Sequence, residues 1–433
     1  MATENQPKPK KTKIWRFFTL LGPGLTTGAA DDDPSGIATY SQTGAQFGYG
    51  QLWTALYMLP FMMAVQEACA RIGLVTGKGI AALVKRHYSK PVLYSVVGLV
   101  LVANVINIGA DIGAMASAFR LLFNIPFIVV VILFAAIILL LMIYTNYRTY
   151  AGILKWLALT LLAYPVTVFI VHQDWHAVLK ATVIPHVEFS FAFLFIITGV
   201  LGTTISPYMF FWEASQEVEE QNESDVQVGD HPLVDKLLVR RMRLDNNTGM
   251  IVSEITTWCI MLVAAAVLNK SGVKDVKTAA DAAKAIEPLV HTFPHAGFLA
   301  KLIFSVGIIG LGLLAVPVLA GSAAYAVSEA FSWKASLNLK PNRARGFYAV
   351  IIASTLLGIT INFVGINPVK ALVYSAVLNG VAAVPLLYII IKISCSEKIM
   401  GEYRSRSLSS ILLWITFLSM GAAAVAMFFT IGK

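Results

Sequence analysis

Charge is scarce in this sequence. Asp, Glu, Lys and Arg together make up 13% of 433 residues, about half the share found in an average soluble domain. That scarcity excludes an ordinary cytosolic enzyme, and it excludes a disordered chain, which needs high net charge and few apolar residues. Cysteine is equally sparse. Cys69, Cys259 and Cys395 are far apart and odd in number, so neither a disulfide framework nor a thiolate metal site is expected. A cleavable signal peptide is not expected either. Lys8, Lys10, Lys11 and Lys13 precede an apolar stretch, but Asp31, Asp32, Asp33 and Pro34 interrupt it where a small-residue cleavage site would lie. There is no Gly-rich phosphate loop with its Lys, no zinc-type helix motif and no placeable Ser/His/Asp set, so no enzyme activity and no cofactor are expected. The seven His (87, 172, 176, 186, 231, 291 and 295) fall at loops or span ends, where solvation is expected.

What the sequence has is apolar bulk. Hydrophobic residues are 57% of the chain, enough for about a dozen spans of roughly 20 residues each. An all-α polytopic membrane protein follows. Windows of about 20 residues place spans near 15–46, 52–75, 92–122, 126–145, 150–172, 191–218, 248–269, 297–328, 347–365, 369–391 and 409–430. Eleven spans put the termini on opposite sides. The net charge of +9 could suggest nucleic acid, but most Lys and Arg cluster in short connections of one parity, as the positive-inside rule requires. A cytoplasmic N-terminus, an outside C-terminus, location in the cell membrane and no nucleic-acid partner are expected. An oligomer is not required. A membrane receptor would need a folded soluble domain, and the longest loop, 219–247, is too short for one. Its Asn222-Glu223-Ser224 and Asn246-Asn247-Thr248 match glycosylation sequons, but on the cytoplasmic side they would carry no sugar.

Two segments are not uniform. Segment 1 carries Gly22-Pro23-Gly24, then Gly28 to Gly36 with three aspartates and Pro34; segment 6 carries Gly199, Gly202, Thr203, Thr204, Ser206 and Pro207. Proline removes a backbone hydrogen bond, and unwound backbone at membrane depth is tolerable only where it lines a cavity. Breaks five spans apart, at corresponding positions of two five-helix halves, mark the midplane site of an inverted-repeat transporter. The division is then a 1–14 cytoplasmic tail, a first repeat over 15–172, a second over 191–391 and a peripheral eleventh helix over 409–430. An acid at membrane depth beside such a break needs a cation or a partner. Asp33 is therefore the leading candidate ligand, with a structural ion pair as the alternative. Asp31 and Asp32 cannot share its direction, but Asp32 in particular can lie on the ion path and concentrate cations. Asp111, in an apolar helix with Asn104, Asn107 and Gly109, is a partner or an ion-path acid. Glu213, Glu217 and Glu220 share one helix face and could line an acidic exit, with Glu213 deepest.

Several stretches carry a family resemblance. Gly22-Pro23-Gly24, Asp33-Pro34-Ser35-Gly36-Ile37-Ala38-Thr39 and Gln42-Thr43-Gly44-Ala45 resemble the first helix of the Nramp divalent-metal transporters. Gln66-Glu67-Ala68-Cys69-Ala70-Arg71-Ile72-Gly73-Leu74-Val75-Thr76-Gly77-Lys78 looks like their second helix and following loop. Ala110-Asp111-Ile112-Gly113 resembles the third, and Gly202-Thr203-Thr204-Ile205-Ser206-Pro207-Tyr208 the broken sixth. The resemblance implies a LeuT-type fold, with two inverted five-helix repeats, broken helices 1 and 6 and eleven transmembrane helices.

The departures from that family carry the selectivity argument. Gly36 stands where the family has a metal-coordinating Asn, Ser206 where it has Met, Tyr208 where it has His, Ala114 where it has Glu and Glu213 where a second His lies. Such losses are similar to those of the Nramp-related branch that moves magnesium. Asn379 lies one position from a family Gln near the metal. Carbonyls near Thr203, the Asp33 carboxylate and a water-mediated Ser206 make an all-oxygen donor set, roomier at Gly36. Hard donors suit Mg²⁺, Ca²⁺ and Mn²⁺, and Mg²⁺ keeps several waters. The expectation is alternating-access transport of Mg²⁺, with Mn²⁺ accepted. Tyr208 titrates near pH 10 unperturbed and Ala114 not at all, so transport without proton coupling is expected, with Asp111 and Glu213 as the groups that could restore it. The alternatives are a proton-coupled Mn²⁺/Fe²⁺ carrier and, further off, an organic-cation or amino-acid symporter of the same fold.

Overall fold

The computed structural model describes residues 28, 30–145, 157–223, 227–228, 231–232 and 234–431. The 1–14 tail and the Gly22-Pro23-Gly24 half of segment 1 lie outside the described residues. The architecture is helical: α1 (Pro34–Phe47), α2 (Trp53–Thr76), α3 (Ile80–His87), α4 (Lys90–Phe119), α5 (Phe127–Tyr144), α6 (Ala163–Ile170), α7 (Trp175–Val183), α8 (Phe191–Thr204) and α9 (Pro207–Glu223). The second half continues with α10 (Lys236–Ala264), α11 (Ala279–Ala283), α12 (Glu287–Val290), α13 (Ala296–Phe331), α14 (Arg345–Thr360), α15 (Pro368–Ser394), α16 (Glu397–Met400) and α17 (Ser407–Phe429). The strands described are one antiparallel pair, Gln227–Val228 with His231–Pro232.

Among the described residues, nine helices are long and apolar enough to cross a membrane, with α8 and α9 counted as one. Segments 1 and 5 of the expected eleven are the two not in that set. Described helix begins at Pro34 for segment 1, and segment 5 is described as the 3₁₀ stretch Leu157–Leu162 followed by α6. Three connections differ from the sequence expectation because hydropathy windows cannot see amphipathic or polar helix. Segment 7 starts at Lys236 rather than near 248, since its first turns carry Arg240, Arg241 and Arg243. Most of the 219–247 loop is consequently helix. The 76–91 connection contains α3, which buries Ile80, Ala81, Leu83 and Val84 and sets Lys85, Arg86 and His87 against the negative end of its dipole. Loop 270–296 holds α11 and α12.

Small residues let the backbones approach, as lipid-embedded bundles require. One close backbone approach flanks the break in segment 6. A Cβ added at Gly202 would lie 2.1 Å from both the Ala376 carbonyl oxygen and the Gly380 nitrogen of α15. α4 packs mainly on α13, α15 and α14, and α1 on α10, α8 and α15, so α1 runs through the middle of the bundle and every residue from Pro34 to Ala45 is buried. Loop 270–296 is fastened to α1: Gln42 accepts from the Val276 N–H at 2.8 Å and donates to the Lys274 carbonyl at 3.2 Å. Asn269 donates to the Ala45 carbonyl at 2.7 Å.

Gly202→Ala is expected to destabilise the folded protein by about 1–3 kcal/mol through overpacking. Gly98→Ala, on α4 with nothing within 4 Å of the new Cβ, should be neutral or stabilising by up to about 1 kcal/mol. Thermal unfolding of both variants in one detergent checks the pair, and equal shifts would contradict the packing assignment.

Candidate metal-transport site

The chemistry of the site begins with two prolines. Residues before proline avoid helical backbone, and Asp33, ahead of Pro34, is extended at φ −66°, ψ 171°. It thereby becomes the N-cap of α1, and its Oδ1 accepts the Gly36 N–H at 2.7 Å. Ser35 Oγ donates to the same oxygen at 2.7 Å, while Asn107 Nδ2, from α4, donates to Oδ2 at 3.0 Å. These three donors stabilise the ionised form and fix both oxygens, yet a carboxylate has about four lone-pair positions, so capacity for a cation remains.

Pro207 does the same to segment 6. α8 stops at Thr204, Ile205 leaves helical geometry at φ −118°, ψ 66°, and α9 restarts at Pro207. The carbonyls orphaned by the break are met by Ser206, whose hydroxyl lies 2.7 Å from the oxygens of both Gly202 and Thr203. Ser206 thus serves first as a cap on the carbonyls that the sequence nominated as ligands, and its own oxygen keeps acceptor capacity toward a water or cation. The C-terminal end of α8 carries the negative end of its dipole, which favours a cation there.

The two breaks touch. Ser35 Oγ lies 3.4 Å from Thr203 Oγ1, and the Tyr40 hydroxyl lies 2.9 Å from Thr204 Oγ1. A Cβ at Gly36 would come 3.2 Å from the Tyr40 ring, 3.3 Å from Thr203 Oγ1 and 3.4 Å from the Asp31 carbonyl, so a longer residue at 36 would point into the gap between the broken helices. Tyr208 bridges the same gap, donating from its hydroxyl to the Ala30 carbonyl at 3.1 Å. Asp111 is one turn from Asn107 on α4 and faces Asp33, Tyr208 and the Ser35 backbone N–H.

The remaining candidates lie further out. Asn379 is buried on α15 beside Gly380, which packs on Thr198 and Gly202, and its Nδ2 has no partner. Glu213 is buried on α9 toward Cys69, and Glu217 faces Glu213, Glu220 and Asp245. Asp31 and Asp32 turn away from Asp33 toward α10: Ser253 Oγ donates to Asp31 Oδ2 at 2.6 Å. Among the described residues, no three His, Cys, Asp or Glu side chains converge as a bare-metal cluster, so a cation at Asp33 would complete its shell with neutral oxygens and water.

Sequence reasoning passed over two groups. Asn107 was noted as a neighbour of Asp111, not as the group that fixes Asp33. Glu254 lies inside the apolar window 248–269 and is 4% exposed; the rule that an intramembrane acid is functional by default selects it. Beyond Asp33, toward loop 270–296, is a cavity of about 20 Å³ lined by Pro34, Ile37, Ala38, Ala114, Ser117, Phe304 and Leu372 among others. It has room for about one water. Its lining is mainly apolar.

Comparison with known proteins agrees with this geometry. The family model described as "Natural resistance-associated macrophage protein-like", Nramp, matches residues 24–430. The divalent metal cation transporter MntH of Listeria welshimeri is 27% identical over 426 residues, 94% of this chain and 88% of that protein. MntH of Bacillus subtilis is 25% identical over 406 residues, covering 92% and 89%. A crystal structure of the Eremococcus coleocola manganese transporter superposes with a TM-score of 0.73 at 16% identity, covering 98% of this chain and 88% of that one. The nucleobase-cation-symport-1 transporter Mhp1 superposes at 0.57 with 15% identity, covering 95% and 90%. These likenesses show the LeuT-type fold.

Asn107→Ala should leave the fold intact but weaken divalent-cation binding about 10–100-fold, the usual cost of losing the group that orients a ligand. Isothermal titration with Mn²⁺ checks it, and unchanged affinity would remove Asp33 from the site.

Proposed function

This chain belongs to the Nramp family and transports divalent metal cations across a membrane, and we propose that its preferred cargo is Mg²⁺, with Mn²⁺ accepted, moved by alternating access without a coupled proton. The observation that carries this reading is the donor set at the two breaks. Asp33, Ser35, Thr203 and Ser206 present carboxylate and hydroxyl oxygen, and the end of α8 presents carbonyls. Thioether sulfur favours softer transition metals, whereas carboxylate, carbonyl and water suit Mg²⁺ and Mn²⁺. Gly36 contributes no side-chain donor, which leaves a coordination position to water on an ion that dehydrates reluctantly.

Asp33 binds the cation directly in this scheme, Thr203 and Ser206 contribute carbonyl and water-mediated oxygen, and Gly36 leaves a coordination position to water. Asn379 approaches from α15 beside the Gly202 contact. Asp32, Glu213 and Asp111 line the ion path. The uncoupled reading is supported by Tyr208, whose hydroxyl is engaged as a structural link to the Ala30 carbonyl, and by Ala114, whose methyl lines the small apolar cavity. The proton-coupled Mn²⁺/Fe²⁺ reading draws on one observation, the buried Asp111 beside Asp33.

For orientation, the basic end of the bundle, with Lys78, Lys85, Arg240, Arg241, Lys340 and Arg343, is assigned to the cytoplasm by the positive-inside rule. The N-terminus is then inside, the C-terminus outside, and the apolar cavity beside Pro34 faces out. The division into repeats over 15–172 and 191–391, with a peripheral helix over 409–430, accompanies this assignment.

Uptake into liposomes tests the cargo. Wild type should take up Mg²⁺ and Mn²⁺, Asp33→Ala should fall to background, and the Gly36→Asn, Ser206→Met double variant should gain Cd²⁺ transport relative to Mg²⁺. Cd²⁺ preferred over Mg²⁺ by the wild type would contradict the hard-donor reading. A lumenal pH dye tests coupling: no acidification is expected with metal entry. Stoichiometric acidification that Asp111→Asn abolishes would establish the proton-coupled reading instead.

A further inference from the structure

The basic end of the bundle gathers more charge in one place than its orientation requires. α3 ends in Lys85, Arg86 and His87, all exposed. Lys398, on the short α16, is remote in sequence yet faces His87, as do Arg86 and Lys78. Slight burial, then the charges of Arg86, Lys398 and Lys78, hold the His87 imidazole below its usual range. The positive-inside rule counts Lys and Arg in short connections. It does not ask cations from two separate connections to meet.

No acid answers these charges. Among the described residues, Lys78, Arg86, His87 and Lys398 form no ion pair. Two acids on the same or adjoining elements are occupied elsewhere. Glu397, next to Lys398, pairs with Arg404 at 2.6 Å. Glu329, near the end of α13, turns inward and accepts from the Ala82 N–H at 3.1 Å and the Ser215 hydroxyl at 3.4 Å. With Lys85 donating to Ser332 Oγ at 2.8 Å, that contact fixes α3 against α13 and presents its cationic end outward. Like charges gathered on a fixed support repel one another until a counter-charge arrives, so this surface suits an anion.

What lies beside the cations narrows the anion. Tyr88 faces Tyr388 of α15. Tyr388 is 41% exposed, meets Trp414 of α17 edge-on at 6.2 Å between ring centres, and has Lys392 Nζ 5.5 Å from its ring centre. Pro385, Tyr388 and Lys392 make one exposed stripe along α15, and α17 packs beside it. Amphipathic Tyr and Trp rings sit at the headgroup level of a bilayer, with acyl chains beyond them. A phospholipid uses both parts of this surface, its phosphate among the cations and a chain along the stripe. A soluble anion uses only the first.

We propose that Lys78, Arg86, His87 and Lys398, with Tyr388 and Lys392 on the lipid-facing side, bind the headgroup of an anionic phospholipid. The lipid belongs to the leaflet at this end of the bundle. Basic clusters at the membrane-facing ends of helices are the usual seat of such headgroups. The inference goes beyond the proposed function: neither the cargo, the coupling nor the assignment of this end to the cytoplasm enters it.

The test uses the full chain in mild detergent and reads the first lipid bound by native mass spectrometry. The probes are phosphatidylglycerol and phosphatidylcholine with identical chains, and glycerol 3-phosphate as a soluble headgroup. Wild type should hold phosphatidylglycerol at least about tenfold more tightly than phosphatidylcholine, and glycerol 3-phosphate should not displace it. The Arg86→Gln, Lys398→Gln double variant should weaken phosphatidylglycerol binding about 25-fold, about fivefold for each charge. Should it fail to fold, either single variant should weaken binding about fivefold. The Lys340→Gln, Arg343→Gln variant removes the same charge from the same end of the bundle, outside the cluster, and should bind as wild type does. Equal affinity for the two lipids overturns the proposal. So does displacement by glycerol 3-phosphate, which would mean a soluble anion, and so does an equal loss in the Lys340→Gln, Arg343→Gln variant, which would mean diffuse attraction. A Cd²⁺ preference or proton coupling in liposomes would sink the proposed function and leave this readout unaffected.

Discussion

A charged carboxylate at membrane depth is the constraint on which the structure turns. By insertion scales such a group costs about 2.5–3.5 kcal/mol at the centre of a spanning helix, and the chain holds Asp33 there, 1% exposed. The position is made tolerable by turning the acid into a helix cap. Pro34 forces the preceding residue into extended geometry, the first turn of α1 then offers an N–H, and Ser35 and Asn107 complete the set. The hydrogen bonds that satisfy the carboxylate also aim it, so the same three contacts that cap the helix hold both oxygens in place.

The break in segment 6 meets that acid with the opposite end of a helix. α1 and α9 start at the site and α8 ends there, so amide N–H groups and carbonyls converge from different elements around one gap. Ser206 shows how finely this is balanced. Its hydroxyl caps two carbonyls that would otherwise be orphaned in the membrane, and a bound cation would compete for the same oxygens. An apolar cluster around Pro34 and Ala114 lies on the side of Asp33 toward loop 270–296, and Gln42 fastens that loop to α1. The Ser35–Thr203 and Tyr40–Thr204 contacts join the two breaks. These few polar contacts lie within an otherwise apolar bundle.

Much of this was legible in the sequence. Apolar runs separated by basic connections gave the polytopic helical class, and two Gly/Pro interruptions at matching places pointed to segments 1 and 6. The carboxylate rule picked out Asp33 and Asp111 for the same physical reason that the structure must satisfy them. Other features were not legible. α3 and the polar start of α10 escape hydropathy windows, because a helix that is half wet has no long apolar run. The Ser206 cap depends on where two carbonyls point after the break, which no residue pattern specifies. The partnership of Asp33 with Asn107 joins residues 74 positions apart, and only packing of α1 on α4 reveals it. Glu254 was visible as a lone acid in an apolar window, but only the packing of α10 against the stretch before Asp33 shows that it faces Asp32.

The central claim is that one fixed carboxylate between two broken helices receives the metal. Anomalous diffraction from crystals of the full chain soaked in Mn²⁺ tests it most directly. The account predicts a peak within coordination distance of an Asp33 carboxylate oxygen, in the gap between α1 and the end of α8, that disappears in Asp33→Asn. A Mn²⁺ peak elsewhere in the bundle, with none beside Asp33, would contradict it.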